Sequence, residues 1–232
     1  MVQTRRERLR ETTVEEIKTV ARRQMGEQGG ANLSLRAIAA EMGMSAPALY
    51  RYFDTRDELV TALIVDAYLS LADFMAASTS QIANDDFGKL FLAKCLAFRE
   101  WGLAKREQFF LIFGTPIPGY HAPPEITTPA AWRSNSQFMQ ILDDAWRAGR
   151  ITIPSEYQGL TSPLHVKLVE LFNQRGYDMP TPLIHIALAG WGVIQGLVSL
   201  ELYGQMDYFG EPATALFRLE CMAYIRRLGL QT

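Results

Sequence analysis

The sequence predicts an all-helical fold in two parts, a small N-terminal helix-turn-helix unit and a larger helical domain. Three observations predict it. Apolar residues recur at helical spacing along most of the chain. Few stretches show the composition or alternation of strands. Residues 34–59, SLRAIAAEMGMSAPALYRYFDTRDEL, read as short helix, glycine turn, short helix, with a third helix behind. The 232 residues, nearly half of them apolar, are ample for a core in each part. The division by role falls at 1–56 and 57–232.

Residues 1–12 carry Arg5, Arg6, Arg8 and Arg10 against Glu7 and Glu11. They form a basic terminal arm, either frayed and solvated or flexible and touching phosphates or a minor groove. Thr13 and Glu16 suit a capping box for a helix to about Gln28, with Val14, Ile17, Ala21 and Met25 on one face. Gly29 and Gly30 stop it. Ser34 can cap a helix over 35–41, and Gly43 ends it. Ser45 is placed to cap a helix over 45–53, with Pro47 in the first turn. Thr55 and Glu58 open a helix of about 20 residues. Ile17, Ala21, Met25, Ile38, Leu49 and Phe53 are the candidate core of this unit.

Beyond it, helices are expected over 87–104 and 106–113. Residues 114–130 carry five prolines, a density that predicts a loop, with Tyr120 and His121 on it as parts of a possible lid. Pro129 starts the next helix, which runs to Ala148 before Gly149. Ser162 and Pro163 open a helix to Phe172. Thr181 caps a long helix to about Gln205, apolar nearly all round, whose Gly190, Gly192 and Gly196 imply close helix contact. Its run over 184–200 is interrupted by Gln195 and three glycines, so it reads as a buried helix and not a membrane span. A last helix covers 212–228.

Formal net charge is only −2, so no global basicity announces nucleic acid. The distribution is uneven. Through Arg56 the chain holds ten bases and seven acids; the other 176 residues hold thirteen and eighteen. The N-terminal unit is therefore the anion-facing end. Cys95 and Cys221 are too few for a disulfide framework and lack metal-site spacing, which fits a reducing cytoplasm. No GxxxxGK, HExxH, CxxC or GxSxG occurs, and His121, His165 and His185 are scattered, so no catalytic or metal site is expected.

Gly29, the Ile38-Ala39 pair, Gly43, the run Leu49-Tyr50-Arg51-Tyr52-Phe53, Arg56 and Glu58-Leu59 follow one known pattern. Over residues 13–65 the chain resembles the TetR family of transcriptional regulators. Residues 66–232 resemble the regulatory domain of the subgroup with a Trp-x-x-x-His-Gly motif. Trp191, Gly196, Leu197 and Glu201 match it, and Gln195 stands in place of the histidine. The resemblance implies a bacterial regulator, most often a repressor, that binds double-stranded operator DNA as a homodimer and answers to a small molecule. An activator, or a regulator without an effector, would share the fold.

On that footing the helix over 45–53 enters the major groove. Ser45, Ala46, Pro47 and Ala48 lead it, and the two alanines and Pro47 can make only apolar contacts, for example to thymine methyls. Tyr50 is placed for a methyl or a phosphate, and Tyr52 for a phosphate. Arg56, Ser34 and Arg36 are expected on phosphates, while Leu49 and Phe53 belong to the core. No cofactor is expected. An apolar or aromatic effector suits the set Trp101, Phe109, Phe110, Phe113, Phe138, Trp146, Trp191, His185 and Gln195, some of which would line a cavity. The last two long helices form the two-fold contact between protomers, with Leu197, Leu200, Phe217 and Met222 on it.

Overall fold

The computed structural model describes residues 4–159, 164–209 and 212–231. Among them there are ten α-helices and no strand. In order these are α1 (Arg5–Gln28), α2 (Leu35–Glu41), α3 (Ala46–Leu49), α4 (Arg56–Ala77) and α5 (Phe87–Ala104). Then follow α6 (Arg106–Phe113), α7 (Pro124–Arg147), α8 (Leu164–Asn173), α9 (Thr181–Leu202) and α10 (Pro212–Arg227). The chain packs as two compact units, Met1–Ser70 with Lys105–Trp132, and Leu71–Ala104 with Arg133–Thr232. The packing thus divides inside α4 and α7, not at the residue where the roles divide.

In the first unit, Ile17, Ala21, Leu35, Ile38, Leu49, Phe53, Leu59 and Leu63 are buried together. Met25 and Val14 pack against them from the edge. Apolar side chains of α6 and the segment after it, Leu111, Ile112, Ile117 and Tyr120, close the same core. Tyr120 shares a hydrogen bond with Thr61 through their hydroxyls at 2.8 Å, so it is a packed residue of this unit.

Four local expectations are corrected. α1 begins at Arg5, not after Thr13, so residues 5–12 are helix and not a flexible arm. Thr4 makes the capping box: its hydroxyl accepts from the Glu7 N–H at 3.2 Å, and the Glu7 carboxylate accepts from the Thr4 N–H at 2.8 Å. Thr13 lies inside the helix and donates back to the Leu9 carbonyl at 3.0 Å. α3 is shorter than the helix over 45–53. It ends at Leu49 with Tyr50 as C-cap, because the chain must turn toward Asp54, whose N–H is held by the Glu58 carboxylate at 2.8 Å.

Third, α7 starts at Pro124, and Pro129 lies within it. A proline in the first turn withholds an N–H that needs no partner, and the Thr127 hydroxyl donates to the Pro123 carbonyl at 3.0 Å. The proline-rich loop therefore closes at Pro123. Fourth, α9 is entered from Pro180, with Thr181 as its first helical residue, and it stops at Leu202 before a turn at Gly204 with φ +73°. Ser162 and Pro163 lie outside the described residues. α5 and α6 have the expected bounds, and Gly43 and Gly149 have the left-handed φ of +63° and +65° that end the helices before them.

In the second unit α9 packs against α5, α8 and α10. Ile184, Ile186, Ala187, Ile194 and Val198 are buried, while Leu188, Val193 and Leu200 are exposed. By length and composition α4 and α9 are each apolar enough to cross a membrane. Of the three glycines, Gly190 explains itself: a Cβ there would lie 2.3 Å from the Tyr224 ring. A Cβ on Gly192 or Gly196 would meet nothing within 4 Å, so the close contact expected of them is not made within the chain. Arg99 grips Glu201 with two hydrogen bonds, at 2.8 and 2.5 Å, and reaches Thr214 at 2.8 Å, tying α5 to α9 and α10. Cys95 and Cys221 are free and buried; burial, then the hydrogen bond between them, holds the Cys95 thiol well above its ordinary range.

Lys94 is 6% exposed. Its ammonium donates to the Met75 carbonyl at 2.6 Å and to Gln137 Oε1 at 2.8 Å, while the Gln137 amide donates to the Ala72 carbonyl at 2.8 Å. The last turn of α4 is thereby sewn to α5 and α7.

Two stability measurements check this packing. Gly190→Ala should lower the unfolding free energy in urea by about 1–3 kcal/mol, because overpacking against Tyr224 outweighs the better helix propensity of alanine. Burial lowers the Lys94 pKa to about 8. The unfolded chain then holds a proton that the folded chain has lost between pH 8 and the ordinary lysine value. Stability should accordingly rise with pH across that interval, relative to Lys94→Met, by up to about 1.4 kcal/mol per pH unit.

Candidate nucleic-acid interface

α2 and α3 are joined by a tight turn that sets the whole site. The Ser34 hydroxyl accepts from the Ala37 N–H at 3.4 Å and starts α2. At the other end Gly43 takes φ +63°, and the Met44 N–H returns to the Ala39 carbonyl at 2.8 Å. Three residues later α3 begins. Ser45 stands at its N-cap but makes no side-chain hydrogen bond there, which leaves its hydroxyl on the exposed side. Leu49 is fully buried and Phe53 nearly so, as their placement in the core requires.

With those two anchors inside, the other side chains of the segment point outward. Pro47 is exposed, and Ala46 and Ala48 are partly so. Tyr50 is 40% exposed. Arg36 on α2 and Arg51 after α3 are exposed. Tyr52 is half-buried, and the Arg10 guanidinium lies 5.5 Å from its ring centroid. This brings the first turns of α1 beside the end of α3, a proximity that helical periodicity alone does not reveal.

Arg56 is placed differently from a residue held out toward solvent. Its Nη2 donates to the Gly30 carbonyl at 2.7 Å, and its Nη1 lies 3.5 Å from Asp57 Oδ1. It fastens the turn after α1 to the start of α4. Other cations of the unit are also committed internally. Lys18 pairs with Asp66 at 2.9 Å, Arg22 with the same carboxylate at 3.7 Å, and Arg23 with Glu41. The outward positive charge of the unit is thus concentrated on Arg5, Arg6, Arg8, Arg10, Arg36 and Arg51, all exposed.

The aromatic residues named as a possible effector lining fall in two clusters. Phe109, Phe110 and Phe113 belong to the first unit, with ring centroids of Phe109 at 6.2 and 5.1 Å from the other two. Phe138 and Trp191 belong to the second, 6.0 Å apart, with Phe98 a further 5.1 Å from Trp191. Trp101 is buried in that unit, and Trp146, His185 and Gln195 are half-buried there. Among the residues named for a contact between protomers, Leu200 is exposed and Leu197 and Met222 are partly exposed. Phe217 is 2% exposed and lies under the Arg99 guanidinium, so it belongs to the interior of its own unit.

Because Arg56 fastens Gly30, Arg56→Ala should lower the unfolding free energy by about 1.5–3 kcal/mol in the absence of any DNA. Urea denaturation checks this, and unchanged stability would reduce the Gly30 contact to an incidental one.

Comparison with known proteins places this architecture. Residues 17–63 match the model described as bacterial regulatory proteins, tetR family. Residues 91–224 match the tetracyclin repressor-like C-terminal domain, a span that includes the run from Trp191 to Glu201. The HTH-type transcriptional regulator Rv1816 of Mycobacterium tuberculosis is 33% identical over 84% of this chain and 83% of its own length. Among solved structures, the regulatory protein SCO4313 is 38% identical, with a TM-score of 0.75 over 96% of this chain and all of that one. A tetR-family regulatory protein from Rhodococcus RHA1 shares the fold at 16% identity, with a TM-score of 0.63 over 94% of this chain and 98% of its own. The family patterns over α1 to α4 and over the C-terminal helices, together with these relatives, lead to one conclusion: the chain belongs to the TetR family of bacterial transcriptional regulators.

Proposed function

We propose that the chain is a cytoplasmic repressor that binds a two-fold-related operator as a homodimer, with α3 of each protomer in the major groove, and that a small molecule releases it. The observation that carries this is the segment from Ser34 to Tyr52. A four-residue helix is anchored by Leu49 while Ser45, Ala46, Pro47, Ala48 and Tyr50 face outward beside exposed Arg36. Small apolar side chains at the leading end favour thymine methyls over hydrogen-bonded base readout. Ser34, Arg36 and Tyr52 surround them as phosphate contacts, and Arg56 supports the frame from behind.

The dimer contact falls on α9 and α10. Gly192 and Gly196 leave the backbone open beside exposed Leu188, Val193 (50%) and Leu200, and Leu216 and Leu219 are exposed on α10. A second copy is the natural cover for such a face. The effector is a mainly apolar or aromatic molecule. Trp191 and Phe138 supply aromatic surface, with Gln195 and His185 as polar groups on the same helix as Trp191. It acts by binding one spacing of the two DNA-binding units better than another.

The test is binding of purified protein to its own upstream intergenic DNA at 50 and 200 mM salt, with the mass of the complex determined. A dimer whose affinity falls at least tenfold over that range is the expected result. Arg36→Ala should weaken binding to all duplexes and lower the salt slope by about one, while Ala48→Leu should reorder preferred sequences. Should both substitutions merely reorder sequences, the division between phosphate and base contacts is wrong. A lack of selective binding, there and in a genome-fragment selection, would overturn the operator reading.

A further inference from the structure

We infer that Arg6 and Arg10, on the first turns of α1, form a rigid phosphate-binding edge that flanks α3 and holds the same duplex. The inference rests on the operator-binding role proposed above and adds to it a site outside the helix-turn-helix. Residues 4–12 hold four arginines and two glutamates. The Thr4–Glu7 capping box makes them a helix continuous with α1, so their side chains have fixed directions.

Those directions are set by Arg10. Its guanidinium lies over the Tyr52 ring, at the end of the segment whose outward face is expected on DNA. Arg6 precedes it by four residues, one turn away on the same face. The two Cα atoms are thus about 6 Å apart along the helix, close to two phosphate steps of ~3.4 Å on one strand. Both side chains are exposed. Glu7, between them in sequence, has its carboxylate turned back to the Thr4 N–H. Further along α1, Lys18, Arg22 and Arg23 are paired with Asp66 and Glu41, so the helix directs its cations inward at one end and outward at the other.

The helical state also decides between grooves. An α-helix is about 10–12 Å across with its side chains, and the minor groove is about 6 Å wide. Residues 5–12 as helix do not enter the minor groove as an extended arm would. Their guanidinium groups reach the phosphates at the edge of the major groove that α3 occupies.

The experiment starts from the duplex that wild-type protein selects out of a random-sequence pool. Affinity for it is measured from 50 to 200 mM salt for wild type, Arg6→Ala, Arg10→Ala, the double variant and Arg10→Lys. Each alanine should reduce the slope of log K against log salt by about 0.9, which makes the fall in affinity over that range about threefold smaller. The double variant should lose about twice that, Arg10→Lys should keep the wild-type slope, and the selected sequence should stay the same. Wild-type slopes in both alanine variants would overturn the inference and leave the operator reading standing. Failure of the wild type to select any duplex would overturn both. Far-UV helicity and the thermal midpoint confirm folding; should Arg10→Ala unfold, the Arg6→Ala slope decides.

Discussion

Everything at the DNA-facing end depends on the burial of Leu49 and Phe53. A helix of four residues cannot hold itself together in water, because nucleation costs more than so few hydrogen bonds return. α3 exists because its two large apolar residues sit in the core that Ile17, Ile38 and Leu59 build, and because Gly43 lets the chain reverse within a few residues. The orientation of each outward side chain is inherited from that anchoring. The Glu58 carboxylate on the Asp54 N–H and Arg56 on the Gly30 carbonyl then fix where the chain leaves the segment.

Much of this is legible in the amino-acid sequence. The Ser34 cap, the Gly43 turn, the core positions of Leu49 and Phe53 and the bounds of α5 and α6 follow from local rules, and local rules prevail where one helix ends before another begins. The departures arise where two local signals compete. Both Thr4-Glu7 and Thr13-Glu16 have the spacing of a capping box, and the earlier one wins because the intervening residues are good helix formers. Pro124 and Pro129 look like helix breakers by count, yet the first occupies a position that tolerates proline, and packing carries the helix past the second. Long-range pairings leave no signal in a single sequence. The stacking of Arg10 on Tyr52 and the bond between Thr61 and Tyr120 join residues far apart in the chain, and the commitment of Arg56 to a backbone carbonyl is of the same kind.

Charge in this protein does two separate jobs. Lys18, Arg22, Arg23, Arg99 and Lys94 meet carboxylates or carbonyls of the chain itself and hold helices together. The arginines at the start of α1, with Arg36 and Arg51, remain on the surface. A count of charges along the sequence shows an excess of three in the N-terminal part but cannot tell the two groups apart. Partition between them is decided by which acids the fold brings near, above all Asp66 and Glu41. The excess is therefore more concentrated in space than it is in sequence.

The small size of Ala46, Pro47 and Ala48 has a further consequence. None of the three is a core anchor of α3, a role that falls to Leu49 and Phe53. Stability and outward chemistry are thus assigned to different positions of the same short segment. A lineage of such proteins can exchange the outward residues one at a time while the fold stays above its stability threshold. Divergence of recognition is then free of the usual conflict with folding, and a scaffold built this way is well suited to repeated duplication and reassignment.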